Sequence, residues 1–90
     1  AKPAEQTPLI ALKIVRMALQ AGVPPDALTL MTGDGTVGAM LVRHSAVSGV
    51  AFTGSSAVAR IINRTLAEKE GAIVPLIAET GGQNAMLADS

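Results

Sequence analysis

Three apolar runs in this chain each end in a turn that carries glycine: Thr32-Gly33-Asp34-Gly35, Thr53-Gly54-Ser55-Ser56 and Glu79-Thr80-Gly81-Gly82. Helix-like patterns follow the first two. Short, continuous apolar strands that alternate with helices specify a parallel sheet joined by right-handed crossovers. Ligands of such sheets bind beyond the carboxyl ends of the strands. The expected fold class is therefore α/β, a parallel sheet with helices on both faces. Its glycine-bearing edge is the expected cofactor edge.

Local signals place the elements. Thr7 to Ala21 reads as a helix, with Gln6, Lys13, Arg16 and Gln20 on one polar stripe. Gly22 stops it, and Val23-Pro24-Pro25-Asp26 forbids its continuation. Ala27 to Met31 reads as a strand and Thr36 to Arg43 as a helix. Gly49 to Phe52 is a second strand. Ser55 or Ser56 caps the helix after it, where Val58, Ile61, Ile62, Thr65 and Leu66 follow helical spacing. Gly71 ends that helix, Val74 to Ala78 is a third strand, and Asn84 to Ala88 is a short fourth.

Gly33, Gly35 and Gly38 spell G-x-G-x-x-G, the letters of a dinucleotide fingerprint. A standard fingerprint has an acidic residue about 20 positions on, at the end of the next strand, for the ribose hydroxyls. That region is Phe52-Thr53-Gly54-Ser55, without a carboxylate. The motif is either a plain strand-to-helix turn or a contact with another part of a nucleotide. Thr53-Gly54-Ser55 is better placed for a phosphate. Free N–H groups and the helix dipole favour an anion there, and glycine permits close approach. The plain alternative is a serine N-cap.

Glu79 follows an apolar strand, where a carboxylate beside apolar walls can gain basicity and serve as a general base. The alternative is a solvated strand-end glutamate. Lys2 and Glu5 together offer the donors and acceptors to grip a diol such as a ribose, or else serve the first helix's N-terminus and solvent. His44 follows a helix end and is not expected to be catalytic.

Composition removes several function classes. Seven basic residues balance seven acidic ones, and Phe52 is the lone aromatic residue, so neither a phosphate-binding charge block nor a base-stacking platform exists. Without cysteine there is no disulfide, thiolate metal site or thiol nucleophile in these residues, which fits a reducing compartment. No metal site is expected, and no apolar run approaches the ~18 residues of a membrane span. There is no signal-peptide pattern, so the expected location is cytoplasmic. An apolar fraction of 49% in 90 residues is more than so small a domain can bury alone. A larger parent protein, or self-association of the piece, is expected to cover the surplus.

Taken in order, Lys2-Pro3-Ala4-Glu5-Gln6-Thr7-Pro8, Gly33-Asp34-Gly35, Phe52-Thr53-Gly54-Ser55 and Glu79-Thr80-Gly81-Gly82 resemble the aldehyde dehydrogenase superfamily across nearly the whole chain. The form Ala78-Glu-Thr-Gly-Gly-Gln-Asn-Ala-Met86 resembles the Δ1-pyrroline-5-carboxylate (glutamate-semialdehyde) dehydrogenase branch, more narrowly that domain of the bifunctional proline-utilisation proteins. Many relatives have Leu and Lys where this chain has Thr80 and Gln83, and that departure points to the branch.

The resemblance implies that residues 1–90 are part of an NAD-binding domain. It implies that Lys2 and Glu5 bind the adenosine ribose of NAD, and that Gly33 and Val37 line the adenine. Thr53, Gly54 and Ser55 would meet the pyrophosphate. Backbone at Thr80 and Gly81 would lie near the nicotinamide. Glu79 would be the general base that activates water to release glutamate. Glu5 argues for NAD over NADP, because it repels a 2′-phosphate. The family's nucleophile is a cysteine, which this chain lacks, so the piece is expected to be inactive by itself. The alternative is an autonomous small α/β nucleotide-binding or interaction module.

Overall fold

A computed structural model of the chain describes residues 1–82, 88 and 89. The helices are α1 (Pro8–Gln20), α2 (Gly35–Arg43) and α3 (Ser56–Glu68); the strands are β1 (Val50–Gly54) and β2 (Leu76–Thr80). The chain divides into two compact units, Ala1–Leu41 and Val42–Ser90.

In the first unit, α1 begins with Pro8, whose missing N–H costs nothing at a helix start. It ends in a Schellman motif: Gly22 N–H donates to Leu19 O (3.2 Å) and Val23 N–H to Ala18 O (3.1 Å). This closure needs a left-handed residue, and Gly22 supplies φ 111°. The expected strand at Ala27–Met31 does not form. Pro25–Ala27 is a 3₁₀ turn, Leu28 after it is extended (φ −143°, ψ 110°), and residues 29–31 belong to no strand. Two backbone groups of that stretch bond to residue 1. The backbone nitrogen of Ala1 donates to Thr29 O (2.6 Å), and Met31 N–H donates to Ala1 O (2.9 Å). Together these two bonds have the spacing of a single parallel bridge between residues 1 and 30, which is too short to make a ladder.

In the second unit, β1 and β2 pair in parallel, with Val50 opposite Leu76 and Gly54 opposite Thr80. The ladder opens at Val50 N–H donating to Pro75 O (3.0 Å), so Pro75 serves as an acceptor just before the strand. Both strands run two residues beyond their expected ends, to Gly54 and Thr80. The core is Val42, Ile62 and Leu66, with Val50, Phe52, Val74 and Leu76 packed against it. Each fully buried Ile or Leu contributes about 1.5–3 kcal/mol. α3 supplies Ala59, Ile62 and Leu66 and packs on both strands. Val50, Phe52 and Leu76 face the core, whereas Ala51 and Ile77, one position on, are exposed.

α3 stops at Glu68, before Gly71. Lys69 caps it in an extended conformation (φ −70°, ψ 136°), and Gly71 makes the following turn with φ 91°. The expected strand at Asn84–Ala88 lies outside the described residues, apart from Ala88, which is in no regular element.

Candidate functional site

The expected site residues fall into two groups, one in each unit. In the first unit, Gly33 has a positive φ and no room for a side chain, because a Cβ there would lie 2.8 Å from Val37 Cβ. Lys2 runs along α2, its Cε 3.3 Å from where a Cβ at Gly38 would be. The structure therefore gathers Lys2, Gly33 and Val37 around the first turn of α2. Lys2 Nζ donates to Pro3 O (2.7 Å), and Glu5 accepts from Gln6 Nε2 (3.3 Å), so each is engaged with its own neighbour.

Asp34 closes the N-terminus of α2. Its Oδ1 accepts from Thr36 N–H (2.9 Å) and Val37 N–H (3.4 Å). A carboxylate thus fills the place where a fingerprint would hold a phosphate. The glycine spacing hides this residue, although the preference of N-caps for aspartate would have found it.

In the second unit, the ladder sets Thr53 beside Glu79 and Gly54 beside Thr80. Thr53, Gly54, Ser55, Glu79 and Gly81 are exposed and Thr80 is half-buried. A Cβ at Gly81 would lie 3.7 Å from Ser56 Oγ, which brings the turn after β2 to the start of α3. Ser55 is the N-cap of that helix: its Oγ accepts from Val58 N–H (3.2 Å). This cap is neutral. The N–H groups of Ser56 and Ala57, at the first two helical positions, have no carbonyl within the helix to bond. Both residues are exposed, and their N–H groups lie at the positive end of the macrodipole.

Gly54 has a second reason to be glycine. A Cβ there would lie 2.5 Å from Phe52 Cζ, so the ring of Phe52 occupies that space. His44 is part of a turn: its Nδ1 accepts from Ala46 N–H (3.1 Å). Among the described residues no group of His, Cys, Asp or Glu is arranged to hold a metal ion, and no helix is long and apolar enough to cross a membrane.

The sequence model described as the aldehyde dehydrogenase family matches residues 1–90. The chain belongs to the aldehyde dehydrogenase family. It is 58% identical over 93 residues to bifunctional protein PutA of Rhizobium meliloti, covering 100% of this chain and 8% of that protein. It is 53% identical over 94 residues to bifunctional protein PutA of Escherichia coli K12, covering 100% of this chain and 7% of that one. A crystal structure of bifunctional proline utilization A (PutA) superposes with a TM-score of 0.89 at 62% identity, over 91% of this chain and 8% of that one. The chain therefore spans less than a tenth of the length of these relatives. Aldehyde dehydrogenases generally use a nicotinamide dinucleotide, NAD or NADP.

The donor set at the start of α3 fits such a cofactor. Backbone N–H groups of exposed residues, a neutral hydroxyl cap and a preceding glycine are the donor set that suits a diphosphate, with no carboxylate as the helix cap.

Proposed function

We propose that this chain forms part of the nucleotide-binding domain of a cytoplasmic enzyme of proline catabolism. The enzyme oxidises L-glutamate γ-semialdehyde, the open form of Δ1-pyrroline-5-carboxylate, to glutamate with NAD. The observation that carries this reading is 58% identity to a PutA protein along the entire chain. Unrelated α/β modules would not share that identity, which disfavours an autonomous module.

On this reading the N–H groups at the start of α3, with Thr53, Gly54 and Ser55, hold the pyrophosphate. Lys2 and Glu5 turn from their neighbours to the adenosine ribose, and Gly33 and Val37 form a wall for adenine. The carboxylate of Glu5 disfavours a 2′-phosphate, which supports NAD over NADP. Thr80 and Gly81 supply backbone near the nicotinamide end. Bound NAD supplies the hydride acceptor. Glu79 takes a proton from the water that releases glutamate, and its exposed position leaves it open to that water. The nucleophilic thiol comes from the parent outside these 90 residues, because the chain has no cysteine.

Exposed Leu9, Ile10, Ile14 and Met17 on α1 support burial against the parent's other parts, or self-association of an isolated piece. The whole reading is tested in the full-length protein with glutamate semialdehyde and NAD. Turnover is expected, and Glu79→Gln should lower kcat by roughly 10²–10⁴-fold while NAD affinity holds. Wild-type protein without turnover would refute the activity. A fully active Glu79→Gln variant would refute the role of that carboxylate.

A further inference from the structure

Lys69 is the most fully engaged charged side chain among the described residues, and no sequence pattern singles it out. Its ammonium donates to three backbone carbonyls: His44 O (2.8 Å), Val47 O (3.2 Å) and Val42 O (3.3 Å). A lysine has three N–H donors, so all three are spent on one stretch of backbone.

The chemistry of that stretch explains the attraction. Val42 lies in the last turn of α2, where carbonyls lack intrahelical partners and the dipole is negative. His44 O also accepts from Val47 N–H (3.1 Å), and His44 Nδ1 accepts from Ala46 N–H (3.1 Å). The ammonium therefore closes a helix end and the turn that follows it.

The topology gives the clamp its reach. Residues 42–47 lie just before β1, whereas Lys69 lies just after α3. One side chain ties the entrance of the β1–α3 segment to its exit, across sequence separations of 22 to 27 residues. The exposed turn Thr53–Ser56 lies inside that closed segment, between strand and helix. We infer that Lys69 is a positioning residue, a tethered cation that holds β1 and α3 in place so that the start of α3 is preformed for a dinucleotide diphosphate. This rests on the nucleotide-binding reading above for its consequence, though the clamp itself does not.

Lys69 also lines a cleft of about 500 Å³ with Arg43, Ser45 and Ser48, beside which a small solute can be tried as a replacement for its side chain. That makes the inference testable in the full-length protein by Lys69→Ala and Lys69→Met, read by amide hydrogen exchange over residues 44–54 and by NAD titration. Both variants should exchange roughly tenfold faster there and bind NAD roughly threefold to tenfold more weakly, the effect of losing about one charged hydrogen bond. Propylammonium should slow exchange in Lys69→Ala, and propan-1-ol of equal size should not.

Wild-type exchange in either variant would overturn the inference, as would equal rescue by the alcohol or no rescue by propylammonium. Faster exchange with unchanged NAD affinity would leave a clamp but overturn the positioning role. A wild-type protein that binds no NAD would instead refute the nucleotide reading, and the exchange experiment would still decide whether the clamp exists.

Discussion

The starts of α2 and α3 look alike in sequence and differ in charge. Both follow glycine-bearing segments, and both are capped by a side chain that accepts from the helix backbone. At α2 the cap is the carboxylate of Asp34, and at α3 it is the hydroxyl of Ser55. A helix end that already holds an anion has less to offer a second one. The richer glycine pattern therefore stands at the helix start whose charge is less favourable to an anion. Counting glycines measures backbone freedom, whereas anion binding depends on which donors remain and what charge stands beside them.

The glycines differ as well. Gly54 leaves room for a core aromatic ring, and Gly33 leaves room for Val37, whereas a Cβ at Gly38 would meet only the flexible end of Lys2. The largest effect should come from Gly54→Val in the full-length protein. Its new side chain would collide with Phe52, at an expected cost of about 1–3 kcal/mol measured by denaturant unfolding. Phe52→Leu in the same chain should recover part of that loss. Full stability of Gly54→Val would show that Phe52 does not depend on the glycine.

A charge exchange between the two caps tests the comparison most directly. Ser55→Asp keeps a good N-cap but adds a carboxylate, and calorimetry should show NAD affinity falling about tenfold. Asp34→Ser should change NAD affinity by less than about twofold. If Asp34→Ser has the larger effect, the pyrophosphate belongs at Gly33–Gly38.

The smallest effect is expected for Gly38→Ala. Alanine favours the helix by about 0.5–1 kcal/mol, and the flexible Lys2 stem can shift by the few tenths of an ångström required. Thermal unfolding should show stability unchanged or slightly raised. A clear loss would mean that Lys2 is held more firmly than its bond to Pro3 suggests.

Much of this architecture is legible locally. Gly22, Pro8 and Ser55 mark helix ends because caps act within a few residues; of the apolar spacing read for α3, Ile62 and Leu66 are buried, whereas Val58 and Ile61 are exposed. Ala27–Met31 misleads because its apolar letters report a wish for burial and say nothing of how far a neighbour runs beside it: its bonds to residue 1 make a single bridge and no ladder. Gly71 misleads more mildly: it turns the chain after α3 has ended at Glu68.

The candidate site divides in the same way. The ordered motifs from Lys2 to Gly81 carry the family, because residue identity and order are properties of the chain alone. The pairing of Thr53 with Glu79, the ring of Phe52 over Gly54 and the three carbonyls around Lys69 come from tertiary structure. The Thr53 and Lys69 partners are distant in sequence, and Phe52 meets Gly54 through a rotamer. Sequence by itself determined helix ends, amphipathic faces and family, since these follow from local chemistry and residue order. Tertiary structure decided which apolar runs became strands and which glycines were needed for packing, because both depend on what lies alongside.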